Sequence, residues 1–300
     1  MMPKNILIIK HGAFGDMLQA DGSIQDIKAH FKNSKIILLT TPTLEILYKK
    51  SPFVDSIIID KRSSLFNIKT IFKFLTKIKN NKIDLVIDLQ NSTRTRIYKF
   101  FLMPNISWIS TFGDKKSVSG YLGQVEMLKK ENIYLNKTYN PCVNWMVGNI
   151  DKQLKKLKIK KGYIALIPGS SEKNNFKRWP YYNKLYSLLK NSGFNVVVLI
   201  GPEDKKLKND FNEYVIEPQT LLELAGYIDA ASFVFGNDSG PTFLASYLNK
   251  FGRGIFGPQN PGRLTNMIRG NFKAIEAENM KFMKPEDVFQ IIKKDLKYLP

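Results

Sequence analysis

Residues 6–16 read Ile6-Leu7-Ile8-Ile9-Lys10-His11-Gly12-Ala13-Phe14-Gly15-Asp16, and they imply the architecture of the whole chain. Four aliphatic residues in a row, with no polar residue between them, suit a strand buried on both faces, as in a parallel sheet. Glycines at 12 and 15 allow a tight turn, and a helical pattern follows over 17–31. A buried strand, a glycine turn and a helix form half of a βαβ unit.

The alternation continues outward. Strand-like runs fall at 6–10, 35–40, 56–60, 84–89 and 107–111, with further helical patterns at 43–50, 65–79, 92–101 and 121–131. Such alternation predicts a parallel sheet covered on both faces. From 136 to 147 it lapses into Asn-Lys-Thr-Tyr-Asn-Pro-Cys-Val-Asn-Trp-Met-Val, read as the connection between domains 1–147 and 148–300. It then restarts, with strands at 163–167, 195–200, 233–236 and 254–256 and helices at 180–191, 204–212, 221–230, 242–248 and 285–299. In the last helix Val288, Ile291, Ile292, Leu296 and Leu299 keep helical spacing. The fold class is α/β, with two Rossmann-like domains facing a cleft.

Composition narrows the function. The 300 residues hold 43% hydrophobic side chains, enough for folded cores, and no apolar run is long enough for a membrane helix. The N-terminal aliphatic run is too short for a signal-peptide core. One cysteine, Cys142, and two histidines, His11 and His30, argue against disulfides and a His/Cys zinc site, so a cytoplasmic protein without a metal site is expected. The net charge is +20, with 39 Lys among 46 basic residues. Two readings stay open: a solvated Lys-rich surface, or an anionic partner such as a phosphorylated substrate or an anionic membrane face. Few arginines and no helix-turn-helix, RNA-recognition or zinc-finger signature argue against nucleic acid.

Ligands of open α/β sheets bind beyond the carboxyl ends of the strands, so four loops carry the functional argument. The first is Lys10-His11-Gly12-Ala13-Phe14-Gly15-Asp16; it is neither Gly-x-Gly-x-x-Gly nor a P-loop. Its Asp16 reads either as an ordinary helix N-cap or as a general base, with His11 as a rival base. The second is Pro168-Gly169-Ser170-Ser171-Glu172-Lys173-Asn174-Asn175-Phe176-Lys177-Arg178-Trp179-Pro180, where hydroxyls beside a turn and two cations before a helix suit phosphate. The third, Phe235-Gly236-Asn237-Asp238-Ser239-Gly240-Pro241-Thr242, offers a helix N-terminus to a diphosphate. The fourth is Phe256-Gly257-Pro258-Gln259-Asn260-Pro261-Gly262-Arg263.

Pro-Gly-Ser-Ser, Lys-Arg-Trp-Pro, Asn-Asp-Ser-Gly-Pro and Phe-Gly-Pro-x-x-Pro, in that order and spacing, resemble glycosyltransferase family 9, the ADP-heptose:lipopolysaccharide heptosyltransferases. Phe14-Gly15-Asp16 resembles the family's opening motif and Asp88-Leu89-Gln90 its fourth-strand motif. The resemblance spans nearly the whole chain and is stronger in the second half.

It implies a GT-B fold, with acceptor bound by domain 1–147, nucleotide sugar by domain 148–300, and the last helix (about 285–299) packing back toward the first domain. It implies inverting transfer from a nucleotide sugar, ADP-heptose, without a cofactor or metal, onto an anionic glycolipid at the inner membrane's cytoplasmic face. The alternatives are another sugar or acceptor, or a silent paralogue that only binds such ligands. Asp16 resembles the catalytic base. Ser170, Ser171 and Lys177 match the donor-phosphate site, Asp238, Ser239 and Gly240 the donor loop, and Glu203 a carboxylate near the nucleoside. Lys61, Arg62 and Gln90 fall on the acceptor side. The chain departs at Phe243 and Gly123, where the family usually has histidine, while Glu126 keeps its place.

Overall fold

The computed structural model describes residues 2–64, 67–112, 120–259 and 266–298. The chain divides into two compact units, Met1–Trp145 and Met146–Pro300.

Unit 1 holds a five-stranded sheet of β1 (Asn5–Ile9), β2 (Lys35–Thr40), β3 (Ser56–Ile59), β4 (Leu85–Asp88) and β5 (Ser107–Ile109), in the order β3-β2-β1-β4-β5. Every pairing is parallel. Residues 6–9 are fully buried, as their unbroken aliphatic run requires at the sheet centre. Helices α1 (Phe14–His30), α2 (Pro42–Tyr48), α3 (Ile68–Asn80), α4 (Thr93–Ile97) and α5 (Gly120–Lys130) cross between or flank the strands. A π-helical turn, Tyr98–Leu102, follows α4 directly; such turns frequently mark functional sites.

The segment read as a connection is held firmly within unit 1. Buried Asp26 of α1 accepts the backbone N–H groups of Asn136, Lys137 and Thr138 at 2.9, 2.9 and 2.7 Å and the Thr138 hydroxyl at 2.7 Å. Gln25 donates to the Cys142 carbonyl at 3.0 Å. Gly22 allows this approach, because a Cβ there would fall 2.0 Å from the Lys137 carbonyl oxygen. Helix α1 therefore buries a polar face, Asp21, Ser23, Gln25 and Asp26, beside its apolar one.

Unit 2 follows the same plan with α6 (Asp151–Leu157), β6 (Ile164–Ile167), α7 (Tyr182–Asn191), β7 (Val196–Leu199), β8 (Val215–Ile216), α8 (Leu221–Asp229), β9 (Phe233–Asn237), α9 (Gly240–Tyr247), β10 (Phe251–Phe256), β11 (Phe272–Glu276) and α10 (Pro285–Leu296). The sheet order is β11-β10-β9-β6-β7-β8, all parallel. The stretch expected as a helix over 204–212 is 3₁₀ from Pro202 to Asp210, with Leu207 its only apolar residue after Pro202. The final helix spends its apolar stripe here: Val288, Phe289 and Ile292 sit in a core with Leu185 and Leu189 of α7. Arg253 of β10 grips Asp295 of α10 at 2.5 and 3.0 Å.

Candidate functional site

In unit 1 the strand order reverses between β1 and β4, the switch point where open α/β sheets bind ligands. The loops leaving these two strands are tied together, because the Gln90 side-chain oxygen accepts the backbone N–H groups of His11 (3.0 Å) and Gly12 (3.1 Å). Gln90, expected on the acceptor side, thus uses its carbonyl to hold the β1–α1 loop and keeps its amide donors.

Helix α1 is capped by Ala13, whose side chain accepts nothing. Asp16 is the third helical residue rather than the N-cap, in the first turn where the helix dipole favours a carboxylate. Its side chain is exposed and makes no hydrogen bond among the described residues. Gly12 packs against it: a Cβ at residue 12 would lie 2.6 Å from Asp16 Cβ. Below it is Lys10, buried, with its ammonium 3.3 Å from the Leu89 carbonyl. Burial lowers the Lys10 pKa, and the charges of Asp16 and Asp88 pull it partly back. Burial raises that of Asp88, against two backbone N–H bonds from Gln90 and Asn91 at 2.9 Å.

A second carboxylate, Asp60 at the end of β3, organises the rest of this crevice. Tyr98 donates its hydroxyl to Asp60 Oδ2 at 2.5 Å, and Arg94 reaches the same carboxylate at 3.2 and 3.3 Å. Arg94 also bonds the Tyr98 hydroxyl, and the Ser63 carbonyl at 2.9 Å. The His11 ring places Nε2 3.2 Å from Asp60 Oδ2, an ion-pair distance without hydrogen-bond geometry. Burial alone would raise the Asp60 pKa, but His11, Tyr98 and the Arg62 backbone N–H together hold it well below the usual carboxylate range. No local pattern marks Asp60, Arg94 and Tyr98 as a group, since they meet only through the sheet order. Lys61 and Arg62 are both exposed, and among the described residues neither side chain has a bonded partner. Arg62 adopts φ +54°, which lets its N–H reach Asp60 at 2.7 Å.

In unit 2 the switch point lies between β6 and β9. Asn237, fully buried, pins the elements around it: its amide donates to the Pro168 carbonyl at 2.8 Å, and its oxygen accepts the Trp179 N–H at 3.1 Å and the Tyr182 hydroxyl at 3.2 Å. Lys177 meets Asp238 at 2.6 Å. Ser170 is buried, and its hydroxyl has no hydrogen-bond partner among the described residues. Ser239 is the N-cap of α9 and Gly240 its first residue; the Ser239 hydroxyl contacts that of Thr242 at 3.1 Å rather than capping the backbone. A Cβ at Gly236 would fall 2.2 Å from the Thr242 hydroxyl, so glycine sets how tightly α9 starts.

Ser170, Lys177, Asp238, Ser239 and Gly240 therefore come from loops held together at one switch point. Ser171 is exposed and accepts from Asn174 at 2.9 Å. Glu203 is exposed on the 3₁₀ turn. Its neighbour Asp204 is buried instead, paired with Arg178 at 2.5 Å under Gly169, where a Cβ would fall 2.0 Å from its oxygen. Burial raises the Asp204 pKa and Arg178 opposes the rise. Phe243 is a core residue edge-on to Tyr247 at 6.3 Å, and Gly123 is buried in α5. Of the fourth loop, residues 260–263 lie outside the described residues. Among the described residues no cluster of three His, Cys, Asp or Glu is placed to hold a metal.

The chain is similar to the lipopolysaccharide heptosyltransferase 1 of Campylobacter coli, 26% identical over 293 residues, covering 84% of this chain and 83% of that protein. Among solved structures it is similar to E. coli ADP-heptose lps heptosyltransferase II (TM-score 0.76, 18% identity, 98% of each chain). It is also similar to E. coli heptosyltransferase WaaC with ADP (TM-score 0.71, 17% identity, 97% of this chain and 99% of that one). Both likenesses show the fold, and the expected pair of Rossmann-like units is borne out. The sequence profile described as glycosyltransferase family 9 (heptosyltransferase) matches residues 124–289, more than half of the chain. With that match, and with a loop arrangement at two switch points that suits sugar transfer, the chain belongs to glycosyltransferase family 9 (heptosyltransferase).

Proposed function

We propose that this glycosyltransferase moves heptose from ADP-heptose to a lipopolysaccharide core precursor, with inversion and with Asp16 as the general base. The acceptor hydroxyl attacks the anomeric carbon and gives its proton to the Asp16 carboxylate. The bond from that carbon to the diphosphate oxygen breaks, and ADP leaves with the electron pair. The observation that carries the reading is the second switch point, where a buried hydroxyl at Ser170 without a hydrogen-bond partner among the described residues, the Lys177 ammonium and the start of α9 lie on loops held together, an arrangement that suits a diphosphate gaining charge. Unit 2 is accordingly the donor side, with Ser171 and Glu203 at its rim. Unit 1 is the acceptor side, where Asp16, Gln90, Lys61 and Arg62 receive an anionic glycolipid at an anionic membrane face. The relatives named for ADP-heptose and lipopolysaccharide support the choice of sugar and acceptor.

Thermal shift against ADP, UDP, GDP, CMP and their sugars tests the donor, since a ligand at a hundred times Kd adds about 2.7 kcal/mol. ADP and ADP-heptose are expected to stabilise most, and a transfer assay on core precursor is expected to yield a product of inverted anomeric configuration. Preference for another nucleotide, or retained configuration, sinks the proposal.

A further inference from the structure

The turn that leaves β3 is anchored on both flanks. On one side the Asp60 carboxylate accepts the Arg62 backbone N–H at 2.7 Å. On the other the Ser63 carbonyl accepts from the Arg94 guanidinium at 2.9 Å, and that guanidinium also reaches Asp60 at 3.2 and 3.3 Å. An aspartate that accepts the N–H two residues on is a common local turn and needs no partner elsewhere. Here the carboxylate is buried and is held by side chains from three distant segments: Arg94 of α4, the Tyr98 hydroxyl at 2.5 Å and His11 Nε2 at 3.2 Å. Between the two anchors stand Lys61 and Arg62, both exposed, and among the described residues neither side chain has a bonded partner. Arg62 adopts φ +54°, a left-handed conformation uncommon for a residue with a side chain. A buried ion pair adds little to stability compared with apolar packing, so what this one supplies is geometry.

We propose that Asp60, braced by Arg94, is a positioning residue for acceptor binding: it fixes the backbone of residues 60–63 and so presents Lys61 and Arg62 to an anionic group of the acceptor. Asp60 acts through the turn and does not touch the substrate. Two long, flexible cations bind an anion at a large ordering cost, and a fixed backbone beneath them lowers that cost and selects where the anion sits. The brace also keeps the cations available. With Arg94, Tyr98 and His11 on the carboxylate, it is not left to pair with Lys61 or Arg62. The proposal rests on unit 1 being the acceptor side of the transfer.

Hydrogen exchange of the full chain, read at the Arg62 amide, tests the brace without any substrate. This amide is expected to be protected in the wild type and to exchange at least about fivefold faster in Asp60→Asn, as a charge-assisted bond becomes a neutral one, while amides of β1 and β4 keep their rates. Steady-state kinetics in both substrates tests the consequence. Asp60→Asn is expected to raise the acceptor KM about tenfold and to leave the donor KM unchanged. Loss of folded protein alone would lower kcat and move neither KM. The effect should vanish once the cations are gone: in a Lys61→Gln/Arg62→Gln background, adding Asp60→Asn should change the acceptor KM by less than about twofold. Tyr98→Phe deletes one bond to the carboxylate and keeps its ring in the core. It should move the acceptor KM the same way by a smaller factor, which keeps the test decisive if Asp60→Asn folds poorly. Equal exchange at Arg62 in Asp60→Asn and wild type, an unmoved acceptor KM, or the same rise in the background without the cations overturns the proposal. A wild type that transfers no sugar counts against heptose transfer, while the exchange comparison still decides whether Asp60 fixes the turn.

Discussion

The ammonium of Lys177 lies 2.6 Å from the Asp238 carboxylate, joining the segment after β6 to the segment after β9 across the second sheet's switch point. The pair keeps a cation in place beside the start of α9, with Asp238 buried and Lys177 partly open. On the proposed donor reading, a diphosphate there would find its positive partner already oriented, which would lower the ordering cost of binding.

Lys177→Ala is expected to weaken ADP binding by about ten- to a hundredfold, the range of a lost charge-assisted bond. Titration calorimetry measures it, and the affinity that remains should be less sensitive to salt. Unchanged ADP affinity would remove Lys177 from the donor site.

Asp16→Asn is expected to leave thermal unfolding and ADP binding near wild type, because the carboxylate is exposed and makes no hydrogen bond among the described residues. Its kcat should fall at least about a hundredfold, as loss of a general base does, with His11→Ala milder. Gly12→Ala should mimic part of the defect, since a Cβ there would sit 2.6 Å from Asp16 Cβ and displace that side chain. Near-normal turnover of Asp16→Asn with a proven acceptor would reassign the base.

Lys61→Glu/Arg62→Glu is expected to raise acceptor KM about tenfold or more while donor KM stays put, with a larger defect at low salt. Both side chains are exposed and lie beside the Asp60 crevice, so their reversal should not cost stability. Steady-state kinetics in both substrates decides it, and equal effects on donor and acceptor would rule the assignment out.

Asp21 supplies a prediction about pH. It is fully buried on α1, bonded by Gln25 at 2.6 Å and Tyr48 at 2.9 Å, and burial pushes its pKa up to about 6. The folded state then holds this proton more tightly than the unfolded chain. Its contribution to stability is full below about pH 4 and is lost as pH rises through about 6. Compared with Asp21→Asn, the wild type should lose about 1–2 kcal/mol between pH 5 and pH 7.5 in urea unfolding. Parallel pH profiles of the two proteins would contradict it.

Much of the fold was legible because periodicity is local. The aliphatic runs at 6–9, 36–39 and 196–199 can be buried only as central strands, and each appears there. The elements missed had weak local signals. Strand β8 has two residues, and α6 buries only Leu154. The first three residues of β10, 251–253, were hidden by Gly252; a Cβ there would meet the Val234 carbonyl oxygen at 2.3 Å, so strand pairing excludes any side chain. Strand β11, Phe-Lys-Ala-Ile-Glu, does not alternate in burial, and its edge position was visible only from the sheet order.

The sequence by itself determined that two runs of alternating strands and helices would form two parallel sheets, and it marked the glycine- and serine-rich loops that leave their strands. Periodicity and turn chemistry act over a few residues, so they can be read in one dimension. Only the tertiary structure decided which loops meet. It brought Gln90 to the backbone of His11 and Gly12, gathered Asp60, Arg94 and Tyr98 beside His11, and buried Asp204 rather than Glu203 against Arg178. Those contacts join residues tens of positions apart, and their partners are set by the order of strands in the sheet, which hydrophobic pattern alone does not encode.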